Sequence, residues 1–387
     1  MKPLSLYVHI PFCIVKCGYC DFNSYALDTL LEKGHAGEDW ARRYGDALMA
    51  ETKSRAEQFS LNGREVGTIF FGGGTPSLFP AEETRRVLDF IAASFDLAPD
   101  CEITLEANPG AAEAERFGAL REAGVNRISI GVQTFDDEAL GRLDRVHTGD
   151  DAERAFRAAR AAGFANVSLD LMFGIPFQTI EAATQDIERA LDLGPEHLSA
   201  YELTIEPGTA FHARQARGEL GGLPDEDTAL RMWELRDSAL SAAGYERYEI
   251  SNFAKPGFAC RHNLNYWRRG DYLGLGAGAH SLVEGERFWN HARPDVYAKN
   301  ASDPTAGKEH VDEPEKALGE ALMLGLRVKE GVSLMRIARE CGADPDDAFG
   351  ELFRDLETSG LLARENGHLR LSDKGTLLAN QVLAKFL

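Results

Sequence analysis

Six short runs of β-forming residues, each followed by a stretch with helical periodicity, set the limits on what this chain can fold into. The runs are "LSLYVHI" (4–10), "VGTIFFGG" (66–73), "EITLEAN" (102–108), "RISIGVQ" (127–133), "NVSLDLMFG" (166–174) and "HLSAYELTI" (197–205). Between them, segments such as "WARRYGDALMAETKSRAEQF" (40–59) and "AERFGALREAGV" (114–125) carry apolar residues three and four apart. Strands alternating with helices predict a parallel sheet joined by right-handed crossovers. Nearly every run ends in Gly, Asn or Gln rather than in another apolar residue. In parallel α/β barrels the functional residues gather where the C-terminal ends of the strands open into loops. Here Cys13 follows the first run and Gly72–Thr75 the second. Glu106 and Asn108 close the third, Gln133 closes the fourth, and Asp170 lies inside the fifth. Six βα units are too few for an eight-stranded barrel. The expected fold class is therefore α/β, a partial (βα)6 barrel open on one side, whose gap admits a large ligand.

After about residue 206 the pattern changes. A helix is expected over "DEDTALRMWELRDSALSAAG", followed by the Gly- and aromatic-rich "YERYEISNFAKPGFACRHNLNYWRRGDYLGLGAGAHS". The polar, Pro-containing stretch near 300–315 reads as a linker. The tail has a helix-turn-helix rhythm, "SLMRIARECG" and "DPDDAFGELFRDLETSGLL", and then a hairpin, "LARENGHLRLSDKG". This gives a barrel over 1–210, a barrel extension over 211–300 and a small winged-helix-like α+β domain over 312–387. The tail is net acidic, so its helices are expected to meet protein rather than DNA.

Three of the six cysteines in 387 residues fall within eight positions, Cys13, Cys17 and Cys20, just after the first run. No apolar run approaches the roughly 20 residues of a membrane span. No basic segment leads into an apolar stretch at the start of the sequence, so no signal peptide is expected. That reads as cytoplasmic, where thiols stay reduced and a tight cysteine group binds metal or does redox chemistry. The formal net charge of −20 argues against a nucleic-acid partner. Cys-x3-Cys-x2-Cys on one loop suits three corners of a [4Fe–4S] cube, leaving one iron open to chelate a small amino acid. Zinc is the competing reading and would need a fourth ligand, for which His9 is the nearest candidate. Cys101, Cys260 and Cys341 are scattered and read as ordinary buried cysteines.

The spacing resembles the signature of the radical S-adenosylmethionine (SAM) superfamily. "LYVHIPFCIVKCGYCDF", "FFGGGTPSL", "LEANPG", "ISIGVQTF", "LDLMFGIP" and "HNLNYW" together resemble its oxygen-independent coproporphyrinogen oxidase-like group over most of the chain. The resemblance implies a partial six-strand barrel. It implies a cluster on Cys13, Cys17 and Cys20 whose open iron takes the amino and carboxylate groups of SAM. One electron from the reduced cluster then splits the sulfonium bond to a 5′-deoxyadenosyl radical. By position, it implies SAM contacts at Tyr7, Gly73, Gly74, Thr75, Glu106, Gln133, Arg145 and Asp170. Taken singly, each has a plainer reading: a tight turn for the glycines, ion pairs for the charged groups, a rim hydrogen bond for Gln133.

The group has two branches. Its oxidases, which turn two propionates into vinyls with loss of CO₂, carry a further cysteine where this chain has Phe22. They also carry a longer segment ahead of the first strand, where six residues precede Tyr7 here. The heme-chaperone branch is the better match. Its "HNxxYW" stretch stands here as His262, Asn263, Tyr266 and Trp267. Imidazole is a common axial ligand of heme iron, aromatic rings offer flat faces to a porphyrin, and Arg268 and Arg269 suit propionates. His9, His280 and His291 are alternative ligands. The resemblance implies a protein that binds a [4Fe–4S] cluster, SAM and heme. It delivers heme to acceptors such as respiratory enzymes, with a visit to the inner membrane face and a homodimer both left open.

Overall fold

The computed structural model describes residues 3–32, 39–110, 116–311 and 313–387. Positions 1 and 312, where two of the expected domains begin, and the first two residues of the run at 114–125 lie outside them.

All six expected strands form: β1 (Leu4–Ile10), β2 (Glu65–Gly73), β3 (Asp96–Ala107), β4 (Arg127–Gln133), β5 (Val167–Phe173) and β6 (His197–Glu202). They pair in parallel and in chain order. Their alternation decides which face is which. Leu4, Leu6, Val8 and Ile10 of β1 are fully buried in the main apolar core with Ile69, Phe71, Leu105, Ile128 and Leu169. The intervening residues turn into the barrel and are polar or aromatic: the Thr68 hydroxyl meets Ser5, and Tyr7 stacks on Phe70. Helices pack on the apolar face and start on local signals. Thr148 and Asp151 form a reciprocal capping box for the helix Gly149–Ala161. Thr179 caps Ile180–Leu193, and Gly194 ends that helix at φ 70°.

The sheet extends well past six strands. After β7 (Glu246–Arg247) and β8 (Asn252–Ala254), the chain returns as β9 (Tyr272–Leu275), β10 (His280–Val283), β11 (Glu286–Asn290) and β12 (Thr305–His310). The spatial order is β12-β11-β10-β9-β1-β2-β3-β4-β5-β6-β8-β7. β9 runs parallel to β1, Tyr7 opposite Gly274, and the outer strands on both sides are antiparallel. The two edges never meet, so the barrel stays open. The stretch near 300–315 is not only a linker: β12 lies within it as the outermost strand. Its lysine, histidine and glutamate suit an edge that must not recruit another strand.

The tail forms Leu334–Cys341 and Pro345–Thr358, then the hairpin Leu362–Glu365 and His368–Leu371. Asn366 and Gly367 turn it, both at positive φ, as a tight two-residue hairpin requires. A separate apolar core, with Leu318, Leu322, Phe353, Leu369 and Phe386, holds this unit together. Among the described residues no helix is long and apolar enough to cross a membrane.

Candidate cofactor site

The cysteine loop is built from its backbone outward. Phe12–Cys13 pairs in parallel with Tyr25–Ala26, which closes the loop on itself. A turn joins Cys20 N to Cys17 O at 3.2 Å. The Asn23 amide donates to Ala277 O and Ala292 O, both at 2.9 Å, tying the loop to the outer strands. His9 sits beneath, with Nδ1 3.0 Å from Tyr7 OH and Nε2 2.8 Å from Asn23 O. Both its ring nitrogens are therefore engaged in holding the loop.

The three thiols have one polar partner each. Thr75 Oγ1 lies 3.6 Å from Cys13 Sγ, Arg145 Nη1 3.8 Å from Cys17 Sγ, and Ser24 Oγ 3.7 Å from Cys20 Sγ. Burial raises the Cys13 and Cys20 thiols above their usual pKa, while the Thr75 and Ser24 hydroxyls pull them down. All three are free thiols lining one cavity of about 380 Å³. Among the described residues no three His, Cys, Asp or Glu side chains converge to seat a single metal ion. A lone zinc needs that convergence, whereas a four-iron cube gives each thiolate its own iron. The donor set fits the cube.

The glycine loop meets the cysteine loop at backbone distance. Gly74 N donates to Ile10 O and Thr75 N to Phe12 O, both at 2.8 Å. A Cβ on Gly74 would stand 2.7 Å from Phe12 O, closer than real contacts allow. Gly73, at φ 117°, turns its N–H to Glu106 Oε2 at 3.2 Å. Arg145 Nη2 donates to Asn108 Oδ1 at 2.8 Å and Gly131 O at 2.6 Å. Gln133 ends β4 at φ 67° and accepts from Tyr201 OH at 2.5 Å.

Two carboxylates form one wall. Burial, and then the nearby Asp170, push Glu106 up to about 8. Burial likewise raises Asp170 to about 6, against the Ser129 hydroxyl, Arg127, the Ser168 hydroxyl and Arg145. Two buried acids side by side favour a cation between them.

The cavity is thus lined by Cys13, Cys17, Cys20, Gly73, Gly74, Thr75, Glu106, Gln133, Arg145 and Asp170. Tyr7 is set one layer deeper, its ring against Phe70 and His262. The structure does not bring His262, Tyr266 or Trp267 to this cavity. They lie on the short helix Arg261–Trp267, which is seated on Glu102: its carboxylate accepts from Arg261 N and His262 N, each at 3.1 Å. His262 is buried, with Nδ1 2.8 Å from Thr68 Oγ1 and Nε2 3.0 Å from Tyr266 OH. Burial and then Arg127 lower it to about 3. Trp267 stacks under Arg327 at 4.8 Å. Arg268 and Arg269 face Glu330 and Glu320 at 3.9 and 2.7 Å.

Sequence reasoning missed Arg127, Ser129, Ser168, His197 and Tyr201, which line the barrel interior. A signal for them exists. Within each run the polar residues recur at every second position, as in Arg127-Ile-Ser129 and Ser168-Leu-Asp170.

Comparison with known proteins agrees with this geometry. The family model described as the radical SAM superfamily matches residues 7–190, and the one described as the HemN C-terminal domain matches 312–378. The chain is 49% identical over 283 residues to the heme chaperone HemW of Escherichia coli (strain K12), covering 73% of this chain and 71% of that one. It is 39% identical to heme chaperone HemW of Mycobacterium tuberculosis (strain ATCC 25618 / H37Rv), over 100% of this chain and 95% of the other. It is 38% identical to that of Bacillus subtilis (strain 168), over 99% of both. Among solved structures, coproporphyrinogen III oxidase (HemN) from Escherichia coli, a radical SAM enzyme, superposes with a TM-score of 0.83 at 24% identity, over 100% of this chain and 90% of that one. With its fold, its cysteine loop and relatives alike along their whole length, the chain belongs to the heme chaperone HemW family of the radical SAM superfamily.

Proposed function

We propose that this protein is a heme chaperone that carries a [4Fe–4S] cluster on Cys13, Cys17 and Cys20, binds SAM in the adjoining cavity, and binds heme and passes it to acceptor proteins. The observation that carries the cofactor reading is the single cavity shared by three free thiols, the glycine loop and the Glu106–Asp170 wall. SAM is a zwitterion with two cationic centres. The paired acids suit its positive groups, and Arg145 and the loop amides suit its carboxylate. When bound, the cluster supplies the electron that cleaves the sulfonium. The chain's own part is to hold, orient and enclose. Heme-accepting proteins such as respiratory enzymes are the proposed recipients, reached in the cytoplasm or at the inner membrane face by one chain or a homodimer.

The second reading is oxidative decarboxylation of coproporphyrinogen. Phe22, 63% exposed on the cysteine loop, stands where the oxidases carry a further cysteine, and favours the chaperone. Anaerobic reconstitution with iron and sulfide, then hemin titration with and without SAM, tests both. One hemin per chain and no protoporphyrinogen from coproporphyrinogen is expected; turnover without hemin uptake would reverse the order.

Heme binding by His262, Tyr266 and Trp267 remains part of the proposal, on a stated condition. The imidazole must first release Thr68 and Tyr266. His262→Ala is therefore expected to destabilise the fold by about 2–4 kcal/mol, by cavity formation and two stranded hydroxyls. Urea unfolding reads that cost, and hemin titration of the same variant reads ligation. A variant of unchanged stability that loses hemin would show that the imidazole serves heme and not the fold.

A further inference from the structure

A line of buried polar groups runs down the inside of the barrel from the cavity to the HNxxYW helix. Asp170 Oδ1 lies 3.3 Å from Ser168 Oγ. Ser168 Oγ lies 2.8 Å from His197 Nδ1, its cross-strand neighbour on β6. His197 Nε2 lies 2.9 Å from Tyr248 OH, and the Asn263 side chain hydrogen-bonds that hydroxyl. Ser168 and His197 are buried.

The direction of every bond follows from the donors available. An ionised carboxylate only accepts, so Ser168 spends its one hydrogen on Asp170. Its oxygen must then accept, which puts the imidazole hydrogen of neutral His197 on Nδ1. Nε2 is left as an acceptor and takes the Tyr248 hydrogen. The Tyr248 oxygen accepts in turn from the Asn263 amide. All four bonds point toward Asp170, so each strengthens the next. Burial and Arg127 hold His197 well below its usual pKa, which keeps it neutral as the chain of bonds requires.

We propose that Ser168, His197 and Tyr248 are positioning residues that fix the Asp170 carboxylate at the cavity wall, and that through Asn263 they join the HNxxYW stretch to the SAM site. This rests on the reading of the cavity as the SAM site. The motif's second residue thereby gains a role in the fold independent of any ligand. A change in the helix Arg261–Trp267 is felt at the cavity through these bonds.

The groups facing Asp170 are Glu106 on β3, Arg127 and Ser129 on β4, Arg145 beyond β4, and Tyr201 on β6. Tyr248 is faced by Cys260, Arg127 and Glu249. Of these, the Ser129 hydroxyl and the two arginines favour the charged form of Asp170, as Ser168 does, and Glu106 opposes it. Removing the donors of the relay lets Asp170 hold its proton to higher pH, and the protonated group serves a cationic ligand less well.

The test uses cluster-loaded protein and measures the SAM dissociation constant between pH 6 and 9 for wild type, Asp170→Asn, Ser168→Ala, Ser168→Thr and Tyr248→Phe. Ser168→Ala is expected to weaken SAM binding about 5–10-fold at pH 7, with its acidic limb displaced upward by about 0.7–1 pH unit. Tyr248→Phe is expected to shift the limb in the same direction by less. Both deficits fade toward pH 9, iron content stays at the wild-type level, and Ser168→Thr restores the profile. Equal weakening at every pH, or no shift in either variant, overturns the proposal. If Ser168→Ala fails to fold, Tyr248→Phe decides alone. If wild type takes up no SAM at all, the cavity reading fails instead, and Asp170→Asn identifies that case by changing nothing.

Discussion

Alanine at any one of Cys13, Cys17 or Cys20 is expected to reduce cluster iron from about four per chain to background after anaerobic reconstitution. The thiols line one cavity, each with a separate polar partner and none able to substitute for another. The nearest nitrogen base beneath the loop, His9, is fully occupied by Tyr7 and Asn23. A cube gripped by two thiolates would expose two irons to solvent and be lost. Alanine at Cys101 or Cys341 is expected to leave iron at the wild-type level. Cys260 is buried with its thiol 3.5 Å from Glu102, so Cys260→Ser serves as the control there. Iron and sulfide analysis, together with the cluster's visible absorption, reads the result. Full iron content in any of the three loop variants would remove that cysteine from the ligand set. Zinc in the anaerobically prepared wild type would remove the cluster itself.

The parts of this molecule that were legible in its sequence share one property: their partners are near in the chain. "LSLYVHI" and "VGTIFFGG" are long, alternating and β-branched, so each reads as a strand by itself, and chain order then gives the sheet order. The cysteine loop and the glycine loop fall at strand ends and meet because β1 and β2 are neighbours, Ile10 opposite Gly73. What stayed hidden depends on distant pairing. "YLGL" is four residues with a glycine, and nothing local says that it lies beside β1. The Thr305–His310 strand has no apolar face, because its only neighbour in the sheet is β11. The HNxxYW stretch reads as a ligand loop by residue type. Its surroundings, Glu102 at its N-terminus and Thr68 against its imidazole, come from strands more than 150 residues earlier. The polar side of each barrel strand was visible as a period of two. What that side does follows only once six strands place those residues around one axis.

Arg127 is where that interior arrangement has the most at stake, and Arg127→Met is expected to cost about 3–5 kcal/mol near pH 8. The guanidinium is fully buried and is the cation shared by Glu102, Glu106 and Asp170. Methionine matches much of its length, so the variant tests charge more than volume. The pH dependence separates the two. Glu106 and Asp170 have folded values of about 8 and about 6, raised from ordinary values of 4.5 and 3.8. A carboxyl raised by folding stabilises fully below its unfolded value, and that stability is lost as the pH climbs through the folded value. In the wild type Arg127 limits this loss by favouring both charged forms. Without it both carboxyls move higher still, and the fold must keep them protonated or bury them charged and unpaired. The deficit of Arg127→Met in the cofactor-free chain is therefore small near pH 5, where the wild-type carboxyls already hold their protons, and widens toward pH 8. Urea unfolding of both proteins at pH 5, 6.5 and 8 reads the difference. A deficit that is the same at all three values would mean that Arg127 supports the barrel by its bulk, and that its charge does not hold the two acids at the cavity wall.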